Sequence, residues 1–493
     1  MKRILFFLCL SLIIVSCKDD VVKPVDEVVK PTAAEELNKT VNTWIYQNMS
    51  DLYYWNTTLP ASQSTYAKPS DYFKTLINKD DRFSAIFDDY QTILQELNGV
   101  SAAEIGFDFQ LWKESSQNNN VLGIVLYVKK GTPAETLGIK RGDIFRKISG
   151  QQLTMDNYST LVNTLFDSSS SVPMTFAIVQ NNALIDKAPV TVNKMANYHE
   201  DPIYMDTVYT VQNTKIGYLV YNFFTNDDGD NSMKYDLELN NTIGKFKSAN
   251  ITELIVDLRY NHGGMMTSAT NLASMLVPGL TTNKVFTLTE YNQNLTDYFK
   301  STAYTSQYSD NPFVNNFATT IDAGNPVTAT YPILNAGNSL SRIFFLTGTG
   351  TASASEMVIN GLKPYLSCIL IGDTTVGKNV GSTLVHDTEN LQNKWAFMPI
   401  ILKYFNKDHK SDFTKGFAPD FLVKDDDTHL LGDVNELMLA KAISRITGLQ
   451  VNASKTAPVK RTFIKSSIDF KRVRQGLIIN SKPTQRFIER TRK

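Results

Sequence analysis

The chain has 493 residues, of which 42% are hydrophobic and 20% charged, with 49 basic and 49 acidic side chains. That length exceeds one ordinary core and predicts two to four domains of globular composition, not a disordered or fibrous chain. The neutral balance removes the electrostatic reason to expect nucleic acid as a partner.

At the start, Lys2 and Arg3 precede an apolar run over 4–15. The run is short for a bilayer span and right for a secretory signal. It ends in Ile14-Val15-Ser16-Cys17, which resembles the bacterial lipobox, and Lys18-Asp19-Asp20 follows. The resemblance implies acylation of Cys17 and attachment to the cell envelope by a lipid anchor. The charged residues after it are similar to the export signal of surface lipoproteins of Bacteroidetes type. The expected address is therefore the outer membrane, facing either the cell surface or the periplasm. Only three cysteines exist. Cys9 leaves with the signal, Cys17 carries lipid, and Cys368 stands alone in an apolar strand, so no disulfide framework is expected.

Residues 1–17 are thus read as signal and lipobox, and 18–33, rich in charge, Val and Pro, as a tether. From Ala34, Leu37, Val41, Trp44, Ile45, Met49, Leu52 and Tyr53 recur at helical spacing. This predicts a small helical domain over 34–100. From Ser101 the pattern turns to short strands. The stretch "VKKGTPAETLGIKRGDIFRKISG" resembles a PDZ domain of the bacterial protease type, covering 101–190. By that resemblance the amides of Ile105, Gly106 and Phe107 hold the carboxylate of a peptide C-terminus, and the peptide adds as a strand. Over 203–447, strands such as "ELIVDLRYN" and "RIFFLTG" alternate with helices such as "SEMVINGLKPY". This is βαβ order with a largely parallel buried sheet. The polar, Asn-rich segment 281–335 reads as a long insertion. Residues 448–493 read as a basic tail, disordered or ending in a peripheral helix.

"GDTTVGKNVGS", 372–382, comes close to a phosphate-binding loop, but Asn379 follows the lysine where Ser or Thr is needed. Gly and β-branched residues then replace the helix that would hold phosphate. Upstream, a strand ends at Thr347 and the small-residue run 348–355 leads into a helix. Small residues let a substrate backbone come close. Free amides at a helix start can stabilise an oxyanion. Helix capping by Ser353 or Ser355 accounts for one serine but not for the run before it. A serine nucleophile needs a base, and none of the five histidines has a motif around it. A desolvated lysine can serve instead.

Three motifs now stand in order: Asp257-Leu258-Arg259-Tyr260-Asn261-His262-Gly263-Gly264, Ser353-Ala354-Ser355-Glu356 and Gly377-Lys378. With the module before them they resemble the S41 family of C-terminal processing peptidases. The resemblance implies a multidomain α/β chain: a helical N-terminal unit, a PDZ-like β domain and a crotonase/ClpP-like α/β catalytic domain. It implies a serine endopeptidase with a Ser–Lys dyad and an acyl-enzyme, acting on exported polypeptides recruited through their C-termini, with no cofactor and no metal. Ser353 is then the nucleophile and Lys378 the base. The amides of Ala354 and of Gly263 or Gly264 form the oxyanion hole, and Asp257, Arg259 and Asn261 brace that loop. His262 is read as incidental. Many family members carry Gln four residues after the lysine, where this chain has Ser382. Ser382 is expected to orient Lys378 in its place. The competing reading is a peptide-binding protein of little catalytic power on the same fold.

Overall fold

The helix Ala33–Leu52 starts at a capping box, Thr32 with Glu35, and buries Val41, Ile45, Met49 and Leu52. The spacing of these four is that of one apolar helical face. The computed structural model describes residues 30–115, 118–181, 183–449, 462–470, 476–478 and 482–491. The signal, Cys17 and most of the tether lie outside the described residues. The first helix shares one core with the α/β layer, a cluster that also holds Leu219, Phe246 and Phe397. Trp44 meets Phe397 edge-on at 5.2 Å, and the strand Ala85–Phe87 pairs with Ala396–Met398. Residues 34–100 are therefore a layer of the main body, not a domain with its own core.

The small β domain does have its own core, built on Phe107, Phe109, Val125, Phe145 and Val172. Its sheet runs Phe107–Lys113, Val121–Val128, Ile144–Ile148, Ser171–Gln180, Ala183–Asp186. On its outer edge, beside Phe107–Lys113, lies Thr462–Ser466 from the tail. The tail is thus ordered along these stretches, and its last element is the helix Lys482–Thr491. Of the two readings of the tail the described part bears out the helix, and it adds a strand, because the open edge of a sheet is a template for any extended segment.

The main body carries a six-stranded sheet in the order Ile203–Val211, Thr214–Tyr221, Glu253–Asp257, Arg342–Thr347, Ser367–Gly372, Phe421–Leu422. All its pairings but the first are parallel. Side chains alternate across it. Leu219, Leu254, Val256 and Phe345 face the helices Lys234–Ser248, Met266–Leu276 and Ala354–Leu362. Tyr218, Ile255, Phe344 and Leu346 face the helix Leu437–Thr447. Both faces are covered, as the continuous apolar strands require.

A second sheet runs Gly263–Met265, Gly476–Ile478, Val380–Ser382, Ile400–Phe405, Val285–Tyr291, Val314–Asn316. The segment 281–335 is therefore not a simple insertion, since it supplies two of these strands and the helix Gln293–Lys300. Cys368 is half-buried, not fully buried, in its strand, and burial pushes its thiol up to about 12. Ile45→Ala should destabilise the protein by about 2–5 kcal/mol, the cost of a large-to-small core change. Because the core is shared, urea unfolding followed by far-UV and near-UV dichroism should shift both signals together. A loss confined to helical signal would contradict the shared core.

Candidate active site

Ser353 closes the turn from the strand Arg342–Thr347 into the helix Ala354–Leu362. Its backbone, φ 61° and ψ −109°, is one that an L side chain rarely adopts. Such a residue costs on the order of 1–3 kcal/mol and persists only where its surroundings fix it. They do so here. Ser353 N–H donates to Glu356 Oε2 at 2.8 Å, and its carbonyl accepts from Met357 N–H at 2.7 Å and Tyr404 Oη at 3.2 Å. Ser353 and Glu356 stand in a capping-box relation, yet Ser353 Oγ is buried and makes no hydrogen bond.

Lys378 follows the next strand, Ser367–Gly372, and is 2% exposed. Glu356 holds its loop too, accepting from Lys378 N–H at 2.8 Å, Gly377 N–H at 2.7 Å and Thr375 Oγ1 at 2.6 Å. On the far side Tyr404 Oη donates to the Lys378 carbonyl at 2.9 Å. One carboxylate and one phenol therefore clamp both residues, on either side of the backbone. The Lys378 ammonium lies 5.0 Å from the Phe83 ring. Burial pushes its pKa down to about 8, against the opposing pull of Asp81 and Glu356. The 81–84 turn that carries these groups is tied down by Tyr53 Oη on Asp81 and by Arg82 on the carbonyls of Val376 and Thr414.

The third motif reaches the same place. A Cβ on Gly263 would stand 2.9 Å from Ser353 Cβ, and one on Gly264 would strike the Phe224 carbonyl at 2.0 Å. Only glycine fits at either position. Gly263 N–H donates to Asn261 Oδ1 at 2.8 Å, so that amide is already engaged. The Phe224 amide donates to the Gly263 carbonyl, and the Phe224 carbonyl accepts from the Met265 amide. By strand alternation the Gly264 amide faces the opposite edge. Ala354 N–H is the first amide of its helix and has no partner within it. Ser355 Oγ donates to the Asn261 carbonyl at 3.2 Å, a bracing contact. Asp257 accepts from Tyr218 Oη and from Arg259. Arg259 also pairs with Asp425 and Glu436, all three within 2.8–2.9 Å contacts.

Other expected residues fall as follows. Ser382 is buried in the strand that follows Lys378 and is paired with Ile400 and Ile478. The ring of His262 stands over Gly350. Ile105, Gly106 and Phe107 lie on the small β domain, in another sheet from Ser353. There the Gly106 amide donates to Glu104 Oε1 at 3.0 Å, so in this state it is not aimed at an incoming carboxylate. Reading the sequence missed Tyr404, Phe83 and Asp81, which no motif marks. Glu356 was visible as a capping residue but not as the partner of the lysine loop.

The Peptidase family S41 model matches residues 215–423, and the Peptidase S41 N-terminal domain model matches 40–85. The chain belongs to peptidase family S41. As an S41 chain it is 22% identical over 325 residues to a "Probable CtpA-like serine protease" of Staphylococcus aureus (strain bovine RF122 / ET3-1), covering 66% of this chain and 54% of that one. A Staphylococcus saprophyticus protein of the same name is 21% identical over 379 residues, 76% of this chain and 63% of that one. The S41 chain spans about half the length of the curated relatives it matches. A crystal structure assigned to the S41 proteases, from Bacteroides fragilis NCTC 9343, superposes with a TM-score of 0.65 at 25% identity, covering 82% of this chain and 97% of that one.

Glu356→Ala leaves four buried donors without an acceptor. An unsatisfied buried group costs about 1–3 kcal/mol, so a loss of several kcal/mol is expected in urea unfolding. A loss near that of an ordinary surface change would show that Glu356 does not join the helix to the lysine loop.

Proposed function

We propose that this S41 chain is a serine endopeptidase in which Ser353 is the nucleophile and Lys378 the general base. The observation that carries the reading is the double clamp of Glu356 and Tyr404 on these two residues, with the lysine desolvated against Phe83. A neutral Lys378 amine takes the Ser353 Oγ proton as Oγ bonds the scissile carbonyl carbon. The oxyanion that forms is met by Ala354 N–H and by Gly264 N–H, since Gly263 N–H is held by Asn261. The lysine then gives its proton to the leaving amine as the C–N bond breaks. Water, giving a proton to the same lysine, adds to the acyl carbon, and the lysine returns that proton to Oγ as the C–Oγ bond breaks. No step calls on a metal or cofactor. The small β domain serves as a PDZ-like module that takes a substrate tail along the edge of Phe107–Lys113, at the head of which Ile105, Gly106 and Phe107 lie. Ser382 helps to orient Lys378.

Ser353→Ala and Lys378→Ala should each lower kcat by about 10³-fold or more, because the pair acts as a unit. Lys378→Arg should be as inactive, since arginine does not deprotonate. Ser382→Ala should lower kcat with KM little changed. The base works only when neutral, so a base with its pKa near 8 gives a rate that rises with pH through about pH 8. A rate that is flat there, or an active Arg variant, would remove the lysine as base. A second reading, peptide capture without turnover, is favoured by one observation: Ser353 Oγ makes no hydrogen bond. Catalytic contacts do tighten on substrate binding. Labelling of Ser353 by a fluorophosphonate separates the two readings.

We further propose export and attachment through lipid on Cys17, supported by the Ile14-Val15-Ser16-Cys17 stretch. One acyl chain holds a protein only marginally, so the anchor carries more than one. Among the described residues no helix is long and apolar enough to cross a membrane. Cys17→Ala should move the protein from the membrane fraction to the soluble one or block its maturation. Protease added to intact cells should degrade the wild type. Protection until the cells are opened would place it inside the envelope.

A further inference from the structure

Among the described residues of 462–491, three stretches touch the rest of the molecule. First, Thr462–Ser466 adds antiparallel to Phe107–Lys113, with Thr462 opposite Lys113 and Ser466 opposite Gln110. Ile464 packs against the core of the small β domain. Phe463 meets Trp112 edge-on at 5.4 Å, and Phe470 stacks on Phe166 at 6.2 Å. Ser467 Oγ donates to Asp108 Oδ1 at 2.8 Å and accepts from Phe109 N–H at 3.2 Å. Second, the helix Lys482–Thr491 is anchored on the main body. Arg486 pairs with Asp310 at 3.0 Å and lies 3.7 Å over the Tyr308 ring, while Phe487 and Ile488 are buried in the main core. Third, between these anchors, Gly476–Ile478 runs parallel to Gly263–Met265 and beside Ser382.

That middle strand lies on the edge to which the Gly264 amide points, next to Ser353. Two of its three register partners on that side, Gly263 and Gly264, carry no side chain. Main-chain pairing along a sheet edge is how an extended peptide is held. The same segment first fills the edge of the small β domain and then the edge beside the serine.

We propose that the stretches 462–470 and 476–478 are a built-in peptide ligand of this chain, laid along both edges that an extended polypeptide substrate would use, so that substrate must displace them. The chemistry of the site is set by its occupant: an aliphatic side chain at the place of Ile464, a hydroxyl at that of Ser467, an aromatic ring at that of Phe470. Because the segment is tethered at both ends, its effective concentration is on the order of millimolar, and weak pairing suffices to compete with dilute substrate. A competing intramolecular ligand raises the apparent KM and leaves kcat unchanged. Only this kinetic consequence rests on the Ser353–Lys378 reading; the occupancy itself stands apart from it.

The test uses the full chain. In Ser353→Ala protein, hydrogen exchange at residues 107–113 and 263–265 should be slow, and adding Ile464→Asp should speed it about tenfold or more. Ser467→Ala, which keeps the apolar contacts, should act in the same direction with a smaller effect. Exchange unchanged by both substitutions overturns the proposal. In protein that retains Ser353, Ile464→Asp and Ser467→Ala should lower the KM for fluorogenic casein, about threefold or more for Ile464→Asp, with kcat unchanged. A KM that is unchanged or raised overturns the inhibitory role. If exchange responds as expected but neither wild type nor variants cut casein, the ligand is supported and the peptidase reading is what fails.

Discussion

Everything near Ser353 depends on where the carboxylate of Glu356 is held. An ionised carboxylate away from water is costly unless its lone pairs are filled. Burial does push the Glu356 carboxyl upward, while the donors from Thr375, Ser353, Lys378 and Gly377 pull the other way. Those four donors come from two separate connections in the chain. The group is therefore satisfied only when the start of the helix Ala354–Leu362 and the loop after Ser367–Gly372 are in their proper places together. The cost of burying one charge becomes a constraint that fixes two loops against each other. Tyr404 repeats the constraint on the carbonyl side, and between them the strained backbone of Ser353 has little freedom to relax.

A second buried network does the same for the glycine loop. Arg259 meets Asp257, Asp425 and Glu436, and Arg141 of the small β domain reaches Asp425 at 2.8 Å and the Tyr260 hydroxyl. The two guanidinium groups hold the Asp425 carboxyl well below the usual range, despite its burial. Buried ion groups of this kind are weak sources of net stability and better suited to fixing one arrangement. Here the arrangement joins the small β domain to the residues just before Gly263. A movement of that domain cannot leave Tyr260 untouched while Arg141 keeps its partners.

What could be read from the sequence was what lies close together along it. The parallel strands announced themselves as continuous apolar runs between helices with a 3.6-residue period. The three motifs were legible because each packs its chemistry into eight residues or fewer, and the fold brings all three to one end of the sheet. Tyr404, Phe83 and Asp81 were not legible. Their contacts with Lys378 span from 26 residues to nearly 300, and an aromatic or acidic residue in such a position looks like any core or surface residue. The N-terminal helices were legible as helices, but their shared core with the α/β layer was not, because helical periodicity tells which face is buried and not what buries it. The strands of the tail were not legible for a related reason. Three residues, Gly476, Leu477 and Ile478, have too little pattern to be called a strand, and strand formation here is set by the partner edge more than by intrinsic preference.

The replacement of the common glutamine by Ser382 is easier to understand against these contacts. A short hydroxyl reaches less far than an amide, so on the proposed reading other groups share the orientation of Lys378 with Ser382. Its N–H is fixed by Glu356 and its carbonyl by Tyr404, and its ammonium faces the Phe83 ring, carried on a turn that Asp81 and Arg82 tie to the main body. The aromatic face excludes water and favours the cation, while burial favours the neutral amine, and the balance leaves a lysine that can exchange its proton near neutral pH. The layer contributed by residues 34–100 is then not an accessory. Without the 81–84 turn the same lysine would lose the Phe83 ring beside its ammonium and part of the burial that lowers its pKa.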